Sequence, residues 1–398
     1  MEQEKRQYWR GLLTGLFLAV IILCLILLGS EAYQLVTGTS GFHAGFGLID
    51  KNVRNKVSLI EGVIEGYYLN DTDVTLMKEG IYRGIIDSLG DPYSSYYNEE
   101  EFNLLMESSS GVFYGVGMYL SQNPDTMEIE VVRPISGSPA LEAGIEAGDK
   151  ILKVDGEDIS GMQLTDVVAR VKGLSGTKVK LTMLREGEQI EFEVERREIE
   201  SETVSYEMKE KKTGYIMIAE FDDVTYQQFK DALDDLDSQG MKSLILDLRG
   251  NPGGNLSTVV EIAELLLPKG MIVYTEDKDG NREEYKCSGA NRFTKPLVVL
   301  VDGNSASAAE ILAGAVKDYE IGTLVGTTTF GKGIVQRILP LDDGSAVKLT
   351  VSKYYTPKGQ NIHGIGIEPD IEVVFDADAY RKDGTDNQLK RALRILEK

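Results

Sequence analysis

The strongest constraint on the fold is a pair of short, uninterrupted apolar runs in the C-terminal half of the chain. One reads SLILDL over Ser243–Leu248, and the other reads PLVVLVDG over Pro296–Gly303. Apolar runs of this length, without polar alternation, predict strands that are covered on both faces. Amphipathic helix patterns lie around them, at residues 225–240, 255–268 and 306–318, and the tail from residue 387 predicts a short C-terminal helix. This alternation predicts an α/β core with a mostly buried sheet over residues 199–398.

A second unit, residues 108–198, has a different pattern. One strand pattern ends at Pro134 and another runs over Lys150–Val154. A hairpin is predicted around Glu186-Gly187. The order is similar to that of a PDZ domain, and the motif GSPALEAGIEAGDKILKVDG (Gly137–Gly156) is specific for it. In such a domain a glycine-rich turn offers consecutive N–H groups to a terminal carboxylate, and the bound peptide adds as a strand. The matching turn here is Tyr114, Gly115, Val116 and Gly117.

The N-terminus carries an apolar run of 19 uncharged residues, Gly11–Gly29. As a helix it would span roughly 28 Å, close to the thickness of a bilayer core. Lys5, Arg6 and Arg10 precede it, and the next basic residue is Lys51. The positive-inside rule then places residues 1–10 in the cytoplasm and everything after Ser30 outside the cell membrane. A cleaved signal peptide is the competing interpretation, and the length of the run favours an uncleaved single-pass anchor.

Residues 30–55 are glycine-rich and read as a tether, and residues 56–107 read as a helical region. In that region Met77, Ile81, Ile85 and Leu89 recur at a spacing of four, and GDPYSSYY (Gly90–Tyr97) ends the pattern. The apolar faces of this region and of the C-terminal helix are candidates for a homodimer interface.

Composition excludes several classes of function. The net charge is −22 and no long basic run is present, which argues against nucleic-acid binding. Cys24 lies in the apolar run, so it is not expected to pair with Cys287. The two histidines and two cysteines are scattered, so we expect neither a metal site nor a cofactor.

Three loops of the α/β region carry the candidate chemistry: DLRGNPGG (Asp247–Gly254), NSASAAEI (Asn304–Ile311) and TTFGKGIVQ (Thr328–Gln336). Taken singly, each has an ordinary structural interpretation as a capping serine, a solvated lysine or turn glycines. Taken together, they suggest a nucleophilic Ser307 that needs a base.

The two histidines are poor candidates for that base, since His43 lies in the tether and His363 in a glycine-rich turn. A desolvated lysine can replace histidine because burial disfavours its charged form. Lys332 is the candidate base. If the chain turned helically after Gly333, Gln336 would face it.

These motifs together resemble the C-terminal processing peptidases, or tail-specific proteases, which are exported serine proteases with an embedded PDZ domain. The resemblance covers roughly residues 56–375 and includes DPYSSYY, LDLRGNPGG, NSASAAEI, VGTTTFGKGIVQ and YYTPKGQNIHGIGIEPDI. It implies that Ser307, rather than Ser305, is the nucleophile, because the gap to the lysine fits that serine. It further implies that Lys332 is the base and Gln336 its support. The oxyanion hole would use the N–H of Ala308 and that of Gly253 or Gly254.

The resemblance also implies an endopeptidase whose substrates are polypeptides with free C-termini, captured by the PDZ domain. The charged stretch ERREIESETVSYE (Glu195–Glu207) is a candidate hinge through which that domain could gate the site. Two alternatives stay open. One is a PDZ-based scaffold on an inactive protease body, although Ser307, Lys332 and Gln336 are all retained. The other is an esterase, which would require a G-x-S-x-G elbow and a histidine base.

Overall fold

The computed structural model describes residues 47–397. The predicted membrane run at residues 11–29, the segment before it and most of the tether lie outside the described residues. Within residues 47–397, no helix combines the length and apolar character needed to cross a bilayer. The described residues divide into two compact units, with the boundary after Met77.

The described part of the first unit contains helix α1 (Lys51–Tyr67). Asp50 caps this helix, and its carboxylate accepts a hydrogen bond of 2.8 Å from the Val53 N–H. Helix α2 (Val74–Asp87) follows and crosses the division between the units. The predicted helical N-terminal region is therefore present. The apolar helical pattern of this region ends with α2. Gly90, three residues after the helix, adopts a φ of +66° and Pro92 follows it, and neither residue continues a helix.

The second unit opens with strand β1 (Ser95–Tyr97) and helix α3 (Glu99–Ser110). Asn98 and Glu101 form a reciprocal capping box at the start of α3. Strand β1 comes from the DPYSSYY motif, so that motif joins a sheet of the protease body and does more than end a helix.

The predicted PDZ domain is present as a mostly β unit. Its elements are β2 (Val112–Gly115), β3 (Met118–Gln122), β4 (Ile129–Pro134), α4 (Pro139–Glu142), β5 (Lys150–Val154), β6 (Glu157–Asp158), α5 (Leu164–Val171), β7 (Lys178–Arg185), β8 (Glu188–Glu195) and β9 (Arg197–Glu200). Strands β3, β4, β5, β7 and β8 form an antiparallel sheet in that order, β6 pairs with β5, and β2 pairs with β9. Strand β3 is therefore an edge strand, which is the position at which a bound peptide can add to the sheet.

The remaining residues build the α/β body. Its elements are β10 (Val204–Lys209), β11 (Thr213–Ile218), α6 (Thr225–Ser238), β12 (Ser243–Asp247), α7 (Leu256–Leu266), β13 (Gly270–Asp277), β14 (Arg282–Cys287), β15 (Leu297–Val301), α8 (Ala308–Asp318), β16 (Thr323–Gly326), β17 (Ile334–Pro340), β18 (Ala346–Tyr355), β19 (Ile371–Glu372), α9 (Ala377–Asp383) and α10 (Asn387–Leu396).

One sheet has the order β10-β11-β12-β15-β16-β19, and it is parallel except for the edge pair β10–β11. The two apolar runs form its central strands β12 and β15, in which every residue is buried. Helices α6, α7 and α8 cover one face, and α10 packs on the other. Because loops at the carboxyl ends of parallel strands meet in space, the chemistry is expected beyond β12, β15 and β16.

A second, antiparallel sheet contains β1, β18, β13 and β14, with β17 paired to β18. Strands β13, β14 and β17 were not predicted. The conditional helix after Gly333 is wrong, because Ile334–Pro340 is a strand. Its residues pair with β18 from Ile334 opposite Lys353 to Pro340 opposite Ala346, and this tertiary pairing overrides the local spacing.

Candidate active site

The candidate nucleophile lies in a strained loop between β15 and α8. Ser307 immediately precedes α8 and has a φ of 54°, a backbone conformation that residues other than glycine seldom adopt. By contrast, Ser305 is fully buried, and its hydroxyl donates to the Leu248 carbonyl at 2.8 Å. It also accepts from the Asp302 N–H at 2.9 Å. Ser305 therefore joins two loops, while Ser307 is only half-buried at the surface they form.

The glycine loop after β12 packs directly on Ser307. A Cβ added to Gly253 would lie 2.7 Å from the Ser307 Cβ and 3.0 Å from the Ala308 nitrogen, and Gly253 has a φ of +111°. Asn251 ties the loops together, since its carbonyl accepts from the Ala306 N–H at 2.9 Å. A side chain at Gly253 would thus separate the glycine loop from Ser307.

The two glycines differ in what their N–H groups do. The Gly253 N–H donates to Asn251 Oδ1 at 2.8 Å. On either side of Gly254, the Phe221 N–H donates to the Gly253 carbonyl at 2.8 Å and the Asn255 N–H donates to the Phe221 carbonyl at 2.7 Å. In this parallel bridge the N–H of the intervening Gly254 faces away from Phe221. Gly254 is also exposed, whereas Gly253 is buried.

A buried glutamate joins the serine loop to the lysine loop. Glu310 lies in the first turn of α8 and is 0% exposed. One carboxylate oxygen accepts from the Ser307 N–H at 2.9 Å and from the Lys332 N–H at 2.8 Å. The other accepts from the Thr329 hydroxyl at 2.5 Å and from the Gly331 N–H at 2.8 Å. The two loops that carry the predicted dyad are therefore held together by a single side chain.

The amine of Lys332 has the environment that a base requires. Burial lowers its pKa from the ordinary value, and the nearby positive charge of Lys348 lowers it further, against weaker opposing effects of Asp91 and Glu310. Its Nζ lies over the Tyr93 ring, 5.0 Å from the centroid. No hydrogen bond joins this amine to the Ser307 hydroxyl in the part of the chain that the structure describes.

Gln336 lies on β17, and no hydrogen bond joins its side chain to the Lys332 amine among the described residues. Its side-chain amide donates to the Thr350 hydroxyl at 3.1 Å. The Thr350 N–H in turn donates to the Ser94 hydroxyl, which donates to the Asp91 carboxylate at 2.6 Å. Gln336 thus contacts β18, which also binds the segment that carries Tyr93.

Glu310, Tyr93 and Lys348 were missed by the sequence reasoning. A signal for Glu310 was available, since it is a lone acidic residue in the apolar helix pattern AAEILAGAV. Tyr93 gave no comparable signal, because it reaches the lysine from a segment far away in sequence.

The predicted carboxylate-binding turn lies at the edge of the PDZ sheet. Tyr114 and Gly115 are in β2, and Val116 and Gly117 form the turn into β3. A Cβ on Gly117 would lie 2.5 Å from the Ser138 Cβ, and Gly117 has a φ of +76°. The turn therefore requires glycine at that position.

His363 lies in an exposed turn that packs on the lysine loop through its backbone. A Cβ on Gly333 would lie 2.6 Å from the His363 nitrogen, so the glycine permits this close approach. Across residues 47–397, no group of three or more histidine, cysteine, aspartate or glutamate side chains is arranged to hold a metal ion.

Comparison with known proteins gives matches for both parts of the second unit. Residues 212–373 match the model of peptidase family S41, and residues 107–184 match that of the PDZ domain. The chain is 40% identical over 346 residues to the carboxy-terminal processing protease CtpA of Bacillus subtilis (strain 168), covering 84% of this chain and 74% of that protein. It is 40% identical over 320 residues to the carboxyl-terminal-processing protease of Synechocystis sp., covering 78% of this chain and 75% of that protein.

Among solved structures, the photosystem II D1 C-terminal processing protease aligns with 30% identity and a TM-score of 0.47, over 81% of this chain and 88% of that one. A putative S41 protease from Bacteroides fragilis aligns with 19% identity and a TM-score of 0.50, over 78% of this chain and 87% of that one. The similarity to the Bacteroides fragilis structure concerns the fold alone. The sequence identities, the two family matches and the shared extent of the chains together show that this protein belongs to the C-terminal processing serine peptidases of family S41.

Proposed function

We propose that this peptidase is a membrane-tethered extracytoplasmic endopeptidase that cleaves peptide bonds with a Ser307–Lys332 dyad and selects substrates by their free C-termini. The observation that carries the dyad is the Glu310 carboxylate, which binds the backbone N–H of both residues at 2.9 and 2.8 Å. It brings the two loops to one place although the two residues lie 25 positions apart in the sequence.

In the proposed reaction, neutral Lys332 accepts the hydroxyl proton as Ser307 Oγ attacks the peptide carbonyl. The resulting lysinium donates that proton to the leaving amine, which leaves an acyl-enzyme. Lys332 then deprotonates a water molecule that attacks the ester, and the lysinium returns the proton to Ser307. Rotation of the amine from Tyr93 to Ser307 precedes the first step, and catalytic contacts of this kind are often loose before substrate binds.

We assign the oxyanion hole to the N–H groups of Ala308 and a glycine of the NPGG turn. Gly254 is favoured over Gly253, because the Gly253 N–H is already used by Asn251. Gly253 instead provides the close approach to Ser307. Loss of one such donor typically lowers kcat by about 10²–10³.

The substrate tail is proposed to bind along β3, with its terminal carboxylate at the Tyr114–Gly117 turn. This edge strand and helix α5 border a groove of about 470 Å³ that is also lined by residues of the protease body. A captured tail would therefore lie against the body that carries the nucleophile. Gating by the hinge at residues 195–207 stays a prediction, and so does the homodimer.

The membrane anchor and the orientation of the chain rest on residues 1–30, which lie outside the described part. Their support is the uncharged run Gly11–Gly29 and the basic residues before it. Digestion of the full chain in sealed membrane vesicles by an added protease tests this. A catalytic unit outside the cytoplasm is digested only when the extracytoplasmic face of the vesicle is exposed, and a cytoplasmic one only when the cytoplasmic face is exposed.

The dyad is tested with the variants Lys332→Ala and Ser307→Ala on a peptide that ends in apolar residues, with product mass identifying the cleaved bond. Both variants are expected to lose turnover while retaining the thermal unfolding midpoint of the parent. Lys353→Ala is the matched control, since Lys353 is exposed on β18. Turnover by Lys332→Ala at the parent rate would contradict the assignment of the base.

A further inference from the structure

The groove between the PDZ sheet and the protease body has two unlike walls. The PDZ wall includes Met118 and Tyr119 of β3 and Val168 of α5. The opposite wall is formed by the segment after β11, with Glu220 and Asp222 lining the groove. A peptide that adds to β3 would therefore have its side chains facing these two carboxylates.

The acidic wall is connected through the backbone of Phe221 to the glycine loop that packs on Ser307. Phe221 stands between the two acids, and its backbone hydrogen-bonds to the Gly253 carbonyl and the Asn255 N–H at 2.8 and 2.7 Å. Gly253 in turn packs against Ser307. A tail that runs from the PDZ turn through this groove toward Ser307 would then pass Glu220 and Asp222.

The other charges of the groove are already neutralised. Lys172 pairs with Glu107 at 2.9 Å, and Glu202 pairs with Arg133 at 2.9 Å. Glu220 and Asp222 have no cationic partner among residues 47–397. Asp222 is 6% exposed, and neither of its carboxylate oxygens accepts a hydrogen bond from a described residue. It is thus a buried, unpartnered carboxyl that lines the groove.

We infer that Glu220 and Asp222 form a charge filter, which disfavours substrate tails with acidic residues just upstream of the C-terminal apolar residues and favours neutral or basic ones. This inference rests on the proposed capture of the tail by the PDZ domain. The physical cause is that like charges brought together in a partly dehydrated groove repel, whereas a lysine in the tail gains a partner.

The filter weakens at acidic pH. Burial raises the pKa of Asp222 to about 7, and the neighbouring charges of Glu220 and Asp223 add to the effect. The titratable groups that line the same groove from other elements are Glu107, Lys172 and Glu202. Below neutral pH Asp222 is protonated, and an acidic tail then meets one negative charge fewer.

The test uses the full chain and three peptides that share a cleavage segment and a free apolar C-terminus. They differ in the two residues just before that terminus, which are glutamate, glutamine or lysine. At about pH 8 we expect kcat/KM for the glutamate tail to be about tenfold lower than for the glutamine tail, and the penalty to shrink at about pH 6. Glutamate in the peptide is ionised at both pH values, and titration of Lys332 cancels in the ratio of two tails.

Glu220→Gln is expected to reduce the penalty, and Asp222→Asn to remove its pH dependence. Because Glu220 is exposed, its variant should fold even if the buried substitution does not. Glu188→Gln, on the far PDZ strand β8, is the matched control and should keep the parent ratio. Equal kcat/KM for the glutamate and glutamine tails at about pH 8 would overturn the filter.

An amidated version of the glutamine peptide separates the two proposals. If the amide is cleaved poorly but tail charge has no effect, C-terminal capture stands and the filter is wrong. If the amide is cleaved as fast as the free acid, capture of the C-terminus is wrong and the filter falls with it.

Discussion

Replacing Glu310 by glutamine should disable the enzyme although the residue contacts no substrate. Its two carboxylate oxygens accept four hydrogen bonds, from the backbone of Ser307, Gly331 and Lys332 and from the Thr329 hydroxyl. Glutamine keeps the size of the side chain but exchanges one acceptor oxygen for an NH₂ donor.

The magnitude depends on which oxygen is replaced. An NH₂ at the position that binds Ser307 and Lys332 would leave two buried N–H groups without an acceptor. At the other position only the Gly331 N–H loses its acceptor, because the Thr329 hydroxyl can rotate and accept. The second orientation is therefore preferred. It costs about 1–3 kcal/mol for one unpaired N–H, together with the loss of charge assistance in the bonds that remain.

The effect on catalysis should exceed the effect on folding. Ser307 and Lys332 would be held by one neutral acceptor, and a misplacement of about 1 Å at a reacting group can cost about 10² in rate. We therefore expect kcat to fall about 100-fold. The KM for a tailed peptide should change little, since Glu310 does not line the groove proposed to hold the tail.

The assay is steady-state kinetics on a tailed peptide, at a temperature well below the unfolding midpoint measured for each variant. Glu261→Gln is the matched control, because Glu261 is an exposed helix residue of α7. A Glu310→Gln enzyme with parent kcat would show that the four hydrogen bonds do not set the geometry of the dyad. A fall in kcat accompanied by loss of folded protein would place the role of Glu310 in folding alone.

Three further predictions concern the neighbouring residues. Gly253→Ala should abolish peptide cleavage without preventing binding of the tail, because the added Cβ would lie 2.7 Å from that of Ser307 at a φ of +111°. Lys348→Met should move the acidic limb of the kcat/KM profile to higher pH, since its positive charge lowers the pKa of Lys332 and the base must be neutral to act. Asp222→Asn should raise the thermal unfolding midpoint at about pH 8 but not at about pH 4. The folded pKa of about 7 lies above the ordinary 3.8, so the parent loses stability from this group as pH rises between those values, by at most about 4 kcal/mol.

Much of the fold could be predicted because local chemistry and tertiary environment agree. The apolar runs at Ser243–Leu248 and Pro296–Gly303 contain strands that are buried on both faces. The turn at Glu186-Gly187 was predictable from Gly187, which adopts a φ of 88° without steric cost, as a two-residue hairpin turn requires. The apolar runs and Gly187 favour the conformation that the fold requires, whereas Glu186 takes a φ of 50° that residues other than glycine seldom adopt.

The parts that could not be predicted depend on distant pairing. Gln336 lies on a strand because β17 pairs with β18, and nothing in its local spacing distinguishes this from a helical turn. Tyr93 reaches Lys332 because β1 pairs with the same strand, with Ser95 opposite Lys348. The candidate nucleophile and base were identified from residue types and order, but what positions them is set by contacts between segments far apart in the sequence.

The arrangement of charges is compatible with the proposed role of Lys332 as a base beside a buried glutamate. A carboxylate paired with the Lys332 ammonium would raise the pKa of the amine and keep it protonated. Glu310 instead uses both oxygens on the hydroxyl and backbone donors around it, including the Lys332 N–H, and forms no ion pair with that amine. The pKa of the amine is influenced most strongly by its burial and by the positive charge of Lys348. Both lower it. Glu310 raises that pKa only weakly, so it can fix the position of the lysine backbone while burial and Lys348 keep the pKa of the proposed base below its ordinary value.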